Sequence, residues 1–130
     1  MSALVLDAGA FVAVQRGDRQ MLARLRAAER GGLGLRSNGA VVAQVWRDAS
    51  GRQASLSRLL RSVDVKAVDR ALGQRAGVLL ARAGRGDAVD AVDATVVAIA
   101  DAGDRIATSD PDDIRAVVAA SGHAILVLPC

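Results

Sequence analysis

Thirteen of the fourteen acidic residues are aspartates, and several stand where a fold would gather them. Asp7 follows directly on the apolar run Ala3-Leu4-Val5-Leu6. Asp110, Asp112 and Asp113 follow on a second strand candidate, in Thr108-Ser109-Asp110-Pro111-Asp112-Asp113. Asp90 and Asp93 are three apart at the start of an apolar helical stretch and so share a face. Carboxylates brought together repel one another and hold raised pKa values unless a cation sits among them. Hard oxygen donors at this density suit Mg²⁺ or Mn²⁺ rather than zinc. Each acid also has a plainer reading: Asp7 and Asp110 can cap the helices that follow them, and Asp90 is favoured by a helix dipole. Asp93, within Val92-Asp93-Ala94-Thr95-Val96-Val97, resists that reading, because an acid facing inward on so apolar a helix needs a partner. Asp101 and Asp104 read as surface charges near a helix end.

Other chemistries find little material. His123 is the only histidine and lies in a turn before the last strand candidate, a poor place for a Ser-His-Asp site. One Cys and one His exclude a zinc site built from those ligands. No glycine pattern makes a phosphate-cradling loop after a strand. There is no tyrosine to act as acid or base.

Length and composition frame these residues. A chain of 130 residues, 52% hydrophobic and 24% charged, reads as one globular domain over 1–130, neither disordered nor in need of disulfides. The single Cys130 rules out a disulfide scaffold. The apolar run Ala3–Val14 contains Asp7 and follows no basic segment, so it fits neither a signal peptide nor a membrane span. The expectation is a cytoplasmic protein. Net charge is only +3, but it is unevenly spread. Residues 16–85 carry 15 basic and 5 acidic residues, a net of +10, whereas 86–130 carry 2 and 8, a net of −6. A basic body beside an acidic cluster suits a polyanion held near bound cations. Solvated helix faces explain the same split.

Short apolar strands alternate with amphipathic helices, the pattern of an α/β protein with a parallel sheet covered on both faces. Strands are expected at 3–6, 33–35, 63–65, 105–108 and 124–128. Helices are expected at 8–15, from Asp18 to Arg30, at 39–49, around Leu56, Leu59 and Leu60, at 69–83, 90–102 and 111–120. In an open parallel sheet, ligands collect at the carboxyl ends of strands where the order reverses. If the first and fourth strands are neighbours there, Asp7 and Asp110 meet.

Taken in order, Val5-Leu6-Asp7-Ala8, the mid-chain helix, Val92-Asp93-Ala94 and Ala107-Thr108-Ser109-Asp110 resemble a PIN domain, and more narrowly the VapC-type toxins of bacterial toxin–antitoxin pairs. The resemblance covers nearly the whole chain. It implies a five-stranded parallel sheet in the order 3-2-1-4-5 with helices on both faces. It implies an Mg²⁺- or Mn²⁺-dependent endoribonuclease whose metal ligands fall on Asp7, Asp93 and Asp110, with Asp112 or Asp113 as an auxiliary. It also implies a small VapB-like antitoxin whose tail covers the groove, and a homodimer.

The chain departs from that pattern in one place. The family usually carries a Glu in the mid-chain helix, where this sequence reads Ala43-Gln44-Val45-Trp46-Arg47-Asp48. Gln44 keeps the shape but not the charge. Asp48, one turn on, or Asp90, one turn from Asp93, are candidates to replace it. Arg47 is read as an RNA phosphate contact, a partner for the acids, or an ordinary surface residue. Arg52 and Arg58 are further phosphate contacts, and Trp46 is expected in the core. Two other functions compete: a PIN-like binding protein with a decayed site, motivated by Gln44, and a receiver-like phosphoacceptor. The latter needs an early acid pair and a late lysine, but Asp7 is alone early and Lys66 is the sole lysine.

Overall fold

In the computed structural model, residues 2–47, 53–84 and 89–130 are described. Strand β1 (Ala3–Leu6) leads through α1 (Ala8–Gln15) and α2 (Arg19–Arg30) to β2 (Gly34–Asn38). Helices α3 (Gly39–Val45) and α4 (Ala54–Arg61) precede β3 (Val63–Lys66), and α5 (Arg70–Ala83) and α6 (Ala91–Ala98) precede β4 (Arg105–Thr108). Helix α7 (Pro111–Ser121) and β5 (Leu126–Pro129) complete the described elements. All strand pairs are parallel, in the order β3-β2-β1-β4-β5, as expected.

The chain steps outward from β1 to β2 and β3, then returns to β4 on the other side of β1. The order therefore reverses between β1 and β4, and a crevice opens beyond their carboxyl ends. All four residues of β1 are buried. Successive strand side chains point to opposite faces, so the sheet is covered on both. Phe11, Met21, Leu56, Leu72 and Ile114 are among the fully buried side chains of those covering layers. Among the described residues, no helix is long and apolar enough to cross a membrane.

The caps follow from the sequence. Asp18 accepts from Met21 N at 2.8 Å and Asp69 from Leu72 N at 2.9 Å. Asn38 Oδ1 accepts from Ala40 N and Val41 N, so β2 runs straight into α3.

Five expectations are corrected. The helix expected to reach residue 49 stops at Val45, because Trp46 turns extended (φ −77°, ψ 124°) and side chains take over the free carbonyls. Gln53 Nε2 donates to Val45 O, and Arg47 Nη1 donates to Ala43 O and Trp46 O. Trp46 is 41% exposed rather than in the core, since the end of α3 carries it out of the apolar layer. The helix expected to reach residue 102 stops at Ala98, where Arg36 Nη1 captures Ile99 O. Asp104 is not a surface charge: only 1% exposed, it accepts from Ala3 N and Asp101 N, both at 2.7 Å, and pairs with Arg36 at 3.0 Å. Strand β2 also extends further than expected, through Ser37 and Asn38. The buried side chains of those two added residues are hydrogen-bonded in place, with Ser37 Oγ donating to Leu6 O at 2.8 Å and Asn38 Nδ2 donating to Thr95 Oγ1.

Candidate metal centre

The apolar run of β1 ends at Asp7, which becomes the N-cap of α1. Its carboxylate is 3% exposed and held from both sides. Oδ1 accepts from Ala8 N at 2.8 Å, and Oδ2 accepts from Thr108 Oγ1 at 2.7 Å. Thr108 is the last residue of β4, the strand beside β1. The same hydroxyl accepts from Asp110 N at 3.0 Å. One threonine thus orients Asp7 and fixes the backbone of Asp110. Pro111 starts α7, and Asp110 stands at its N-cap without spending its carboxylate on a capping hydrogen bond. That carboxylate is exposed and faces the crevice.

Asp93 comes from the first turn of α6. Asn38 Nδ2 donates to Thr95 Oγ1 at 3.1 Å, and Thr95 Oγ1 donates to Val92 O at 2.6 Å. These bonds pin α6 to the end of β2 and set Asp93 over the sheet edge. Asp93 is only 7% exposed.

Asp7, Asp93 and Asp110 each present a carboxylate oxygen, and these three oxygens lie within 4.8 Å of one another. They open into a cleft of about 490 Å³ also lined by Ala8, Gln44, Arg47, Asp90, Ser109 and Asp113. Burial pushes Asp93 up to about 7, and the negative charges of Asp7, Asp110, Asp90 and Asp113 push in the same direction. Burial also raises Asp7; the bonds from Thr108 and Ala8 N lower it, and Asp110 and Asp90 raise it. Both shifts mark carboxyls whose negative charge is disfavoured where they stand without a cation. Three carboxylates with no His or Cys among them form a hard, all-oxygen donor set, which fits Mg²⁺ or Mn²⁺.

The other expected site residues divide. Asp90 lines the cleft while accepting from Val92 N at 2.8 Å, so it caps α6 and faces the acids at once. Gln44 and Arg47 line the cleft, both exposed. Asp112 points elsewhere, to Arg115 at 3.5 Å, and its neighbour Asp113 lines the cleft instead. Asp48 and Arg52 lie outside the described residues, and Arg58 is exposed on α4 away from the cleft lining. Thr108 has a role the sequence reading did not assign. A hydroxyl at the end of the strand beside β1, two residues before an aspartate, was the available signal.

No family model matches the chain, and no curated protein matches it.

Proposed function

We propose that this chain is a metal-dependent endoribonuclease of the PIN-domain, VapC-like type. One observation carries the reading: Asp7, Asp93 and Asp110, up to 103 positions apart in the chain, present oxygens within 4.8 Å at the switch point of a 3-2-1-4-5 sheet. Asp93, largely buried yet lining the cleft beside four other acids, supports it further.

In this reading Asp7, Asp93 and Asp110 hold Mg²⁺ or Mn²⁺. A bound divalent ion supplies an activated water and charge stabilisation for phosphodiester hydrolysis. Thr108 and Ala8 N fix the Asp7 carboxylate, which lowers the reorganisation needed on binding. Asp90 and Asp113 extend the negative field around the three ligands. Arg47 donates from Nη1 to the carbonyls of Ala43 and Trp46 and lines the cleft, where an RNA phosphate would approach. Binding through arginines releases counterions and weakens steeply with salt. The same reading carries a small antitoxin over the groove, homodimerisation and a cytoplasmic location.

The test is cleavage of structured RNA in Mg²⁺ or Mn²⁺ by wild type, Asp7→Ala and Asp93→Ala. Cleavage by wild type alone supports the assignment, and equal cleavage by all three rejects it. Gln44 favours a second reading, a binding protein of the same fold with a weakened centre. Calorimetric titration with Mn²⁺ separates the two, since the second reading expects no saturable binding.

A further inference from the structure

We propose that Gly9 is a positioning residue for the acidic cluster: its bare Cα lets the first turn of α1 lie against Ser109, and that contact holds Asp110 up to Asp7. Glycine is costly here on local grounds. Gly9 sits inside α1 with no positive φ, so its backbone makes no demand for glycine. Alanine in a helix is better by roughly 1 kcal/mol. Space is what demands glycine. A Cβ at position 9 would lie 2.5 Å from Ser109 Oγ, 2.6 Å from Ser109 Cβ and 2.9 Å from Ser109 N. No other described glycine has such a contact below 3.0 Å.

The hydroxyl of Ser109 can rotate away, but its Cβ and N move only with the backbone. Ser109 lies between Thr108, which bonds both Asp7 and the Asp110 amide, and Asp110 itself. Asp7 lies two residues before Gly9. The contact is thus flanked by two of the three carboxylates, and a side chain at position 9 drives them apart.

The metal-affinity part of the test rests on the proposed ion-binding reading; the backbone part does not. The full chain, ¹⁵N-labelled and metal-free, is compared as wild type, Gly9→Ala, Ser109→Gly and the double variant. Amide shifts of residues 108–113 are recorded, and Mn²⁺ affinity is measured by calorimetry. The expectation for Gly9→Ala is displaced amides across 108–113 and Mn²⁺ binding about 10- to 100-fold weaker, the usual cost of disturbing the support of a metal ligand. Ser109→Gly removes the two closest overlaps, so the double variant regains wild-type-like amide positions over 110–113 and part of the affinity, and Ser109→Gly alone is the reference that separates loss of the serine from the effect of the added methyl. Unmoved amides and unchanged affinity in Gly9→Ala overturn the proposal. If Gly9→Ala does not fold, recovery in the double variant supports the proposal, and a double variant as damaged as the single one overturns it. If wild type itself binds no Mn²⁺, the ion-binding reading fails and the amide positions alone decide the role of Gly9.

Discussion

The Thr108 hydroxyl donates to Asp7 Oδ2 at 2.7 Å while accepting from the Asp110 amide at 3.0 Å. A hydroxyl has one proton and two lone pairs, so both bonds form at once. Thr108 is fully buried, and valine matches its shape without the hydroxyl. Thr108→Val leaves Asp7 Oδ2 without its donor and the Asp110 N–H without its acceptor. The expected cost is about 1–3 kcal/mol of stability. Asp7, already raised by burial, loses the largest influence that lowers it. Mn²⁺ affinity should fall about 10- to 100-fold. Chemical denaturation and calorimetry on the same samples check both, and wild-type values in both would show that the bridge positions nothing.

The raised pKa of Asp93 fixes a sign. Burial and its acidic neighbours take it up to about 7, whereas an unfolded aspartate titrates near ~3.9. Between those values the metal-free folded state holds a proton that the unfolded state has lost. Stability from this group is therefore lost as pH rises from about 4 to about 7. The metal-free protein should lose more melting temperature between pH 5 and pH 8 than Asp93→Asn does. Saturating Mn²⁺ should remove most of the difference, because the ion binds the ionised carboxylate. Equal pH slopes for wild type and Asp93→Asn would contradict the account.

How much was legible follows the range of each interaction. The ends of β1 and β4 and the caps at Asp18, Asn38 and Asp69 are local, written in apolar runs and in the side chain–backbone bonds of Asp and Asn. Asp7, Asp93 and Asp110 were readable because each sits at a strand end or in a first helical turn, where a parallel sheet gathers residues. Asp104 was not, because its principal partners are the amide of Ala3, 101 positions away, and Arg36 on another strand. Trp46 and the end of α3 were misread for a related reason. Helical spacing continues past Val45, but Gln53 and Arg47 satisfy the carbonyls there and let the helix stop.

Gln44 lines the acidic cleft as a neutral amide. Replacing it with glutamate adds a charge at the rim of the cluster. A unit charge at ~4 Å is worth about 1 kcal/mol at the screening of bulk water and more in a cleft. Gln44→Glu should therefore tighten Mn²⁺ binding on the order of tenfold, while lowering the melting temperature of the metal-free protein through added repulsion. Calorimetry and thermal melts with and without Mn²⁺ read the two effects, and they should have opposite signs. Unchanged binding in the variant would mean that the position-44 side chain is directed away from the ligands.

Asp104 makes a prediction that is independent of any ion. Its carboxylate is 1% exposed and accepts from Ala3 N, Asp101 N and Arg36 Nη1. It therefore ties the start of β1 and the turn after α6 to the middle of β2. Arg36 is itself largely buried, with a side chain 18% exposed and an Nε without a partner. Removing Asp104 deprives two amides of their acceptor and leaves the largely buried guanidinium with only the exposed Asp101 carboxylate, at 3.4 Å, as counter-charge, close to the case in which breaking a buried pair costs about 3–5 kcal/mol. Asp104→Ala should lose stability of that order, and Asp104→Asn, which keeps an acceptor oxygen, should lose less. The double variant Asp104→Ala/Arg36→Met should be more stable than Asp104→Ala alone, because a largely buried charge left with only an exposed counter-charge has gone. Urea denaturation of the set gives the cycle directly. A double variant no better than the single one would place the cost in the lost amide bonds rather than in the abandoned arginine.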